Sequence, residues 1–171
     1  MKPAFYLIFN FLIMANWCIN SVSFTAEPAQ LSQIQTLFIQ MAADAQRTGE
    51  GQLPVFIPEQ EGYFFDIAWE EDVLFYSTRW VPNTDHLIEV AEFYGADFRH
   101  HYAETSSSIY GVSEYRDGVL TITDLDNSDF DGYDLDEETG LYRFEGSNYE
   151  SSEEILDIHI QRKKHINDLT D

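Results

Sequence analysis

Apolar positions between residues 31 and 48 recur at helical spacing. Leucine, isoleucine, phenylalanine, methionine and alanine fall on one face, which predicts an amphipathic helix over this stretch. Ser32 and Gln35 resemble a capping box near its start, and Gly49 marks its end.

Two further helices are indicated later in the chain. Apolar residues from Leu87 to Phe98 repeat at helical spacing after the Pro82-Asn83-Thr84 turn, which predicts a helix that Gly95 either bends or ends early. On a helix that continued further, His100 with Glu104, or Asp97 with His101, would be candidate metal-ligand pairs at i,i+4 spacing.

A C-terminal helix is predicted after Ser151, with acidic residues early and basic residues late, as the helix dipole favours.

Alternating apolar and polar residues predict strands arranged in hairpins. Asp117-Gly118 between two alternating runs is the strongest short hairpin signal in the chain. The predicted strand pairs are 63–69 with 73–80, 109–115 with 119–123, and 133–135 with 141–144. The order of elements predicts an α+β fold: an antiparallel sheet of four to six strands with helices packed on one face.

The N-terminus has the pattern of a secretory signal peptide. Lys2 is followed by an apolar run from residue 4 to residue 19 and then by the small residues Ser21 and Ser23. We therefore expect residues 1–23 to be a signal peptide and residues 24–171 to be one soluble domain. Cleavage after Ser23 would also remove Cys18, the only cysteine, so a packed core without disulfides would have to stabilise the domain.

The net charge of the chain excludes some classes of function. The 171 residues include 9 Lys+Arg and 31 Asp+Glu, a formal net charge of −22. This balance argues against nucleic acid, whose phosphates attract basic surfaces, and against anionic membranes. An aromatic content of 15% separates the chain from disordered acidic segments and predicts a packed core.

Residues 124–138 read D-L-D-N-S-D-F-D-G-Y-D-L-D-E-E and have a spacing suited to calcium. Oxygen ligands that alternate along a loop turned by glycine can surround this ion. From Asn127 onward the spacing resembles the twelve-residue loop of the EF-hand family, although an Asn takes the family's first Asp position and no helix pattern precedes the loop. The resemblance implies calcium ligands at Asn127, Asp129, Asp131, the carbonyl of Tyr133, and Glu138.

The same segment is also a candidate interface for a cationic protein. Residues 124–154 contain 12 acidic residues and a single basic one, Arg143. Such a surface raises the encounter rate with basic partners, and interleaved aromatic residues can be buried in the contact. The predicted partner-binding residues are Asp124, Asp126, Asp129, Tyr133, Asp134, Asp136 and Glu137.

Two functions are therefore expected to compete. The first is an exported binding protein, periplasmic or secreted, of the immunity or inhibitor kind, which neutralises a basic toxin or enzyme. The second is a calcium-binding extracellular domain that uses the 124–138 loop. The sequence contains no G-x-S-x-G, H-E-x-x-H or P-loop motif, so we expect no enzyme activity.

Overall fold

The structure is a computed structural model that describes residues 16–168, with side chains described to residue 166. The first fifteen residues, which hold most of the predicted signal peptide, lie outside the described part. The strands are β1 (Trp17–Thr25), β2 (Phe65–Glu70), β3 (Val73–Arg79), β4 (Asp97–Glu104), β5 (Ile109–Arg116), β6 (Val119–Asp124), β7 (Asp134–Asp136), β8 (Leu141–Phe144) and β9 (Ser147–Tyr149). The helices are α1 (Pro28–Thr48), α2 (Thr84–Tyr94), α3 (Asn127–Phe130) and α4 (Ser152–Asp168).

Six strands form one antiparallel sheet in the order β2-β3-β1-β4-β5-β6, and β7, β8 and β9 form a small second sheet. The predicted α+β class and antiparallel sheet are confirmed. Each hairpin prediction is also confirmed, with neighbouring strands joined by tight turns. In the β5–β6 turn, Asp117 and Gly118 both have positive φ, as the Asp-Gly signal predicts.

Strand β1 lies in the middle of the sheet, hydrogen-bonded to β3 on one side and β4 on the other. It crosses the predicted domain boundary after Ser23, since seven of its nine residues, Trp17 to Ser23, precede that point. Its alternate residues Cys18, Asn20, Val22 and Phe24 are buried. Residues 17–23 therefore lie inside the folded domain, and a domain that began at residue 24 would lack most of its central strand.

Helices cover both faces of the sheet, whereas the prediction placed them on one face. Helices α1 and α2 pack on one face against a core that includes Val22, Phe38, Leu74 and Phe98. Helix α4 lies on the opposite face, where Leu156 contacts a second apolar cluster formed with β5 and the start of the 125–133 segment. Because α4 packs on β5 and β6, the residues that the structure describes cover the opposite face over only one half of the sheet.

The start of α1 differs from the prediction, whereas its end agrees with it. The helix begins at Pro28, and its capping box joins Glu27 to Gln30 rather than Ser32 to Gln35. Gly49 adopts the left-handed conformation at φ 73° and ends the helix as predicted.

Helix α2 ends at Tyr94, so of the two alternatives at Gly95 the early end is the one observed, and the helix does not continue to Phe98. Gly95 takes a left-handed conformation at φ 67°, and Asp97 opens strand β4. His100 and His101 therefore point to opposite faces of the sheet. The helical metal-ligand pairs predicted around them do not form, because residues four apart on a strand are separated by roughly 13 Å.

Candidate interaction surface

The uncovered half of the sheet exposes apolar side chains from β1 and β3. Trp17, Ile19 and Phe75 are 41%, 55% and 40% exposed. The strand register places them on one face, since Ser21 pairs with Phe75 and belongs to the same alternation as Trp17 and Ile19. We call Trp17, Ile19 and Phe75 the open-face patch. Of the helices that the structure describes, α4 is the one on this side, and it packs on the other half of the sheet.

An arginine stacks at one end of the open-face patch. The guanidinium of Arg79 lies 5.0 Å from the ring centre of Phe65 and 5.9 Å from that of Trp17. The two aromatic rings meet edge to face at 5.0 Å. Aromatic rings held by a cation in this way are preorganised for contact, because little side-chain freedom remains to be lost on binding.

Acidic residues border the hairpin that carries Phe75. Glu70, Glu71 and Asp72 form the β2–β3 turn and are exposed. Glu71 and Asp72 have φ values of 47° and 67°, the left-handed pair that closes a two-residue hairpin. Phe75 of the open-face patch therefore shares its hairpin with three consecutive carboxylates.

A polar cleft lies beside the open-face patch, between the sheet and α4. Ser21, Ser23, Arg99, His101, Asp157 and Gln161 line it. Nε2 of His101 is 3.6 Å from a carboxylate oxygen of Asp157, and that oxygen also accepts a hydrogen bond from the Tyr110 hydroxyl at 2.8 Å. Burial lowers the pKa of His101 despite the nearby carboxylate, so the imidazole is mainly neutral at pH 7.

The structure assigns most of the predicted partner-binding acids to contacts within the chain. Asp126 caps α3 through Ser128 and pairs with Lys163 at 2.9 Å, which lowers the pKa of its carboxyl to about 2. Asp129 pairs with the same Lys163 at 2.7 Å. Asp136 pairs with Arg143 and accepts backbone hydrogen bonds in the turn that follows β7. These three carboxylates are therefore already partly neutralised.

The remaining predicted partner-binding residues divide into two groups. Asp124 accepts a hydrogen bond from Tyr102, and Tyr133 is half-buried against the α4 cluster, with its ring 5.9 Å from that of Tyr142. Asp134 and Glu137 are exposed and point their charges to solvent. The segment thus keeps some free acids, in and directly after strand β7 of the small sheet.

The loop that resembles an EF-hand takes a different local structure. Asn127–Phe130 forms the short helix α3, and Asp134–Asp136 forms strand β7. In the described part of the chain, the carboxylates of Asp129, Asp131 and Glu138 do not converge on a common point, and the metal-type ligand atoms that do converge belong to Glu59, His86 and Glu89. The calcium ligand set remains a prediction from spacing.

A buried polar network lies on the α1 and α2 face of the sheet and was not predicted. His100 is fully buried, with Nε2 2.9 Å from the side-chain oxygen of Asn20 and Nδ1 3.3 Å from the hydroxyls of Thr84 and Ser113. Hydrophobic periodicity does not reveal such residues, because a polar side chain at an inward position interrupts the pattern. Burial also raises the pKa of the neighbouring Cys18 thiol to about 11, which keeps the thiol protonated.

Comparison with known proteins supports the fold class. The family model described as "Ferredoxin-like domain in Api92-like protein" matches residues 61–145, just under half of the chain. The match begins before β2 and ends after β8, so it takes in the β2–β3 hairpin, α2 and strands β4 to β6. Together, β1-α1-β2-β3-α2-β4 follow the β-α-β-β-α-β order of ferredoxin-like folds.

Comparison with curated proteins and with solved structures adds nothing to this match. No curated protein and no solved structure matches the chain. None of the described helices is long and apolar enough to cross a membrane.

Proposed function

We propose that this chain is a binding protein of the inhibitor or immunity kind, which neutralises a basic protein by covering part of its surface. The open-face patch is the observation that carries the proposal. Trp17, Ile19 and Phe75 expose apolar area on a rigid sheet, next to the Arg79–aromatic stack. Contiguous apolar surface with a polar border is typical of protein interfaces.

Charge supports a basic partner. The net charge of −22 gives the domain a negative field that draws cationic proteins and repels acidic ones. The Glu70-Glu71-Asp72 turn would meet basic residues at the border of the contact. Asp134 and Glu137, in and after strand β7 of the small sheet, would contribute to long-range attraction more than to direct contact. In this scheme the apolar patch supplies most of the affinity, and the acids raise the association rate.

The proposal includes export of the protein, with cleavage of the leader at an earlier position than Ser23. The Lys2 and apolar-run pattern still favours a secretory route, periplasmic or extracellular. A leader cleaved before Asn16 would leave the sheet whole, whereas cleavage after Ser23 would remove most of β1. We therefore propose that the mature exported chain retains Trp17, which N-terminal sequencing of the exported protein would test.

The test compares two isoleucines of nearly equal exposure. Ile19 on β1 is 55% exposed, and Ile39 on α1 is 53% exposed. The full chain is used to isolate its partner from the native host, and the affinity of the purified pair is then measured for the wild type, Ile19→Ser and Ile39→Ser. We expect Ile19→Ser to weaken binding about tenfold and Ile39→Ser to leave it nearly unchanged.

Salt dependence completes this experiment. The association rate with a basic partner should fall several-fold between about 50 mM and about 300 mM salt, since long-range attraction is screened over the Debye length. An acidic partner, or a complex equally tolerant of both isoleucine substitutions, would contradict the proposal.

A further inference from the structure

A histidine and two glutamates converge where the 52–62 connection meets helix α2. His86 lies in the first turn of α2, and Glu89 lies one turn further on the same side. Glu59 comes from the connection that precedes β2. One ligand atom from each of the three side chains lies within 4.8 Å of the other two. Glu59 is far from His86 and Glu89 along the chain but adjacent to them in the fold.

The orientation of the imidazole points Nδ1 toward the carboxylate of Glu89. Nε2 of His86 lies 2.9 Å from the carbonyl oxygen of Glu61, so this nitrogen carries the proton and donates to it. Nδ1 then bears the lone pair and lies 3.4 Å from a carboxylate oxygen of Glu89. Metal-binding histidines are held in this manner, with one ring nitrogen donating to a backbone carbonyl and the other free to coordinate.

The surroundings hold His86 rigidly. The ring is buried, and Gly62 approaches it so closely that a Cβ at that position would lie 2.7 Å from Nε2. Gly62 is fixed in turn, since Asn83 donates to its carbonyl at 2.8 Å and Tyr76 donates to the Asn83 side chain at 2.7 Å. A chain of hydrogen bonds from β3 to the connection therefore sets the position of the imidazole.

We propose that Glu59, His86 and Glu89 bind a divalent transition-metal ion of the zinc class. Two carboxylate oxygens and one imidazole nitrogen suit zinc, cobalt and nickel, and the nitrogen disfavours calcium and magnesium. Ligand atoms around a tetrahedral zinc ion are roughly 3.4 Å apart, which matches the spacing between His86 and Glu89. Glu59 is exposed, and its ligand atom lies within 4.8 Å of those of His86 and Glu89.

Such an ion would join the 52–62 connection to helix α2. The same two segments already meet through the parallel rings of Phe56 and Phe93, whose centres are 4.1 Å apart. Three protein ligands leave at least one coordination position for water or for a group from a bound molecule. The side chain of Glu89 is 36% exposed, so this position would be open to solvent.

The experiment measures zinc binding by calorimetry on the full chain, freed of metal by chelation and dialysis. Millimolar calcium in the buffer occupies weak all-oxygen sites on the acidic surface. The variants are Glu59→Gln, Glu89→Gln and His86→Gln, and the last keeps an amide that can donate to the Glu61 carbonyl. The matched control is Glu61→Gln, which removes the same charge from the same connection but leaves the backbone carbonyl in place.

We expect one zinc ion per chain, with affinity at least about tenfold weaker in each ligand variant and unchanged in Glu61→Gln. Nitrogen-15 spectra of the histidine rings should show that zinc shifts Nδ1 of His86. Cobalt absorption in the visible range, intense for four ligands, would report the same site. Zinc binding that is absent, or that responds equally to Glu61→Gln and Glu89→Gln, would overturn the proposal. In that case His86 and Glu89 form only an ion pair.

Discussion

The imidazole of His100 donates from Nε2 to the side-chain oxygen of Asn20 across 2.9 Å, and this bond joins β4 to β1 inside the sheet. The direction of the bond follows from the Asn20 amide, which itself donates to the Cys18 carbonyl at 2.8 Å and to the Thr78 hydroxyl at 3.1 Å. Nδ1 of His100 is left to accept from Thr84 or Ser113. The contact therefore fixes both the tautomer of His100 and the place of β1 in the fold.

Acid should destabilise the protein through His100. Burial lowers its pKa from 6.5 to about 3, whereas in the unfolded chain it keeps its ordinary value. Above pH 6.5 both states are neutral and the group has no effect. As pH falls from 6.5 toward 3, the unfolded state binds a proton that the folded state does not. The free energy of unfolding should fall by about 1.4 kcal/mol per pH unit from this residue alone.

Urea unfolding at several values between about pH 7 and about pH 5 would measure this slope. His100→Gln should flatten it, while His165→Gln, at an exposed histidine of α4, should leave it as in the wild type. Equal slopes in all three proteins would show that His100 takes up its proton in the folded state.

Two truncated chains should differ in whether they fold, depending on whether they keep strand β1. A chain of residues 16–171 keeps all of β1 and should fold. A chain of residues 24–171 loses seven residues of the strand between β3 and β4, and with them Cys18 and Val22 from the interior. We expect this shorter chain to be unfolded at 25 °C, because the loss exceeds the 5–15 kcal/mol that stabilises a typical domain. Circular dichroism during thermal unfolding distinguishes the two, and a cooperative transition in the 24–171 chain would contradict the placement of β1.

Helix α4 should contribute strongly to stability. Leu156 is fully buried against Tyr110, Val112 and Leu125. Leu156→Ala should lower the free energy of unfolding by about 2–5 kcal/mol, since it removes buried methyl groups and leaves a cavity. Ile39→Ala, at an exposed position of α1, should change it by less than about 0.5 kcal/mol. If both variants unfold at the same denaturant concentration, α4 is not packed on the sheet as described.

Calcium should have little effect on the 124–138 segment. The Asp129 carboxylate is engaged by Lys163 and lies 3.4 Å from Nδ1 of His159, so a calcium ion would have to displace these partners. Millimolar calcium should move the melting temperature by less than about 1 °C. A larger rise that disappears in Asp131→Ala, a change at an exposed acid of the segment, would instead favour the calcium function.

Local pattern was sufficient for most of the elements. The apolar face of α1, the Asp117-Gly118 turn and the aromatic and β-branched composition of β3 depend on residues close in sequence, and all three were predictable. Strand β1 was not, because Ile19 and Cys18 continue the apolar run that begins near the N-terminus, and that run has the length of a signal peptide. The end of α2 was left open by the sequence, since Gly95 can interrupt a helix or be tolerated within it.

The candidate sites depended more on long-range contacts. Spacing alone predicted that Asp126 and Asp129 contact a partner protein and that Asp129 also binds calcium. Lys163, 34 residues beyond Asp129, neutralises both only because α4 folds back over this segment. Glu59 and His86 showed no motif, since metal-type clusters built from a loop and a helix have no fixed sequence interval.

The sequence by itself determined the α+β class, the hairpins and the strongly acidic character, because each follows from short-range periodicity or from composition. Only the tertiary structure decided that β1 is central, which half of the sheet the described helices leave uncovered, and which acids remain free. These features depend on which distant segments pack together, because burial and charge pairing arise from contacts between segments rather than within one segment.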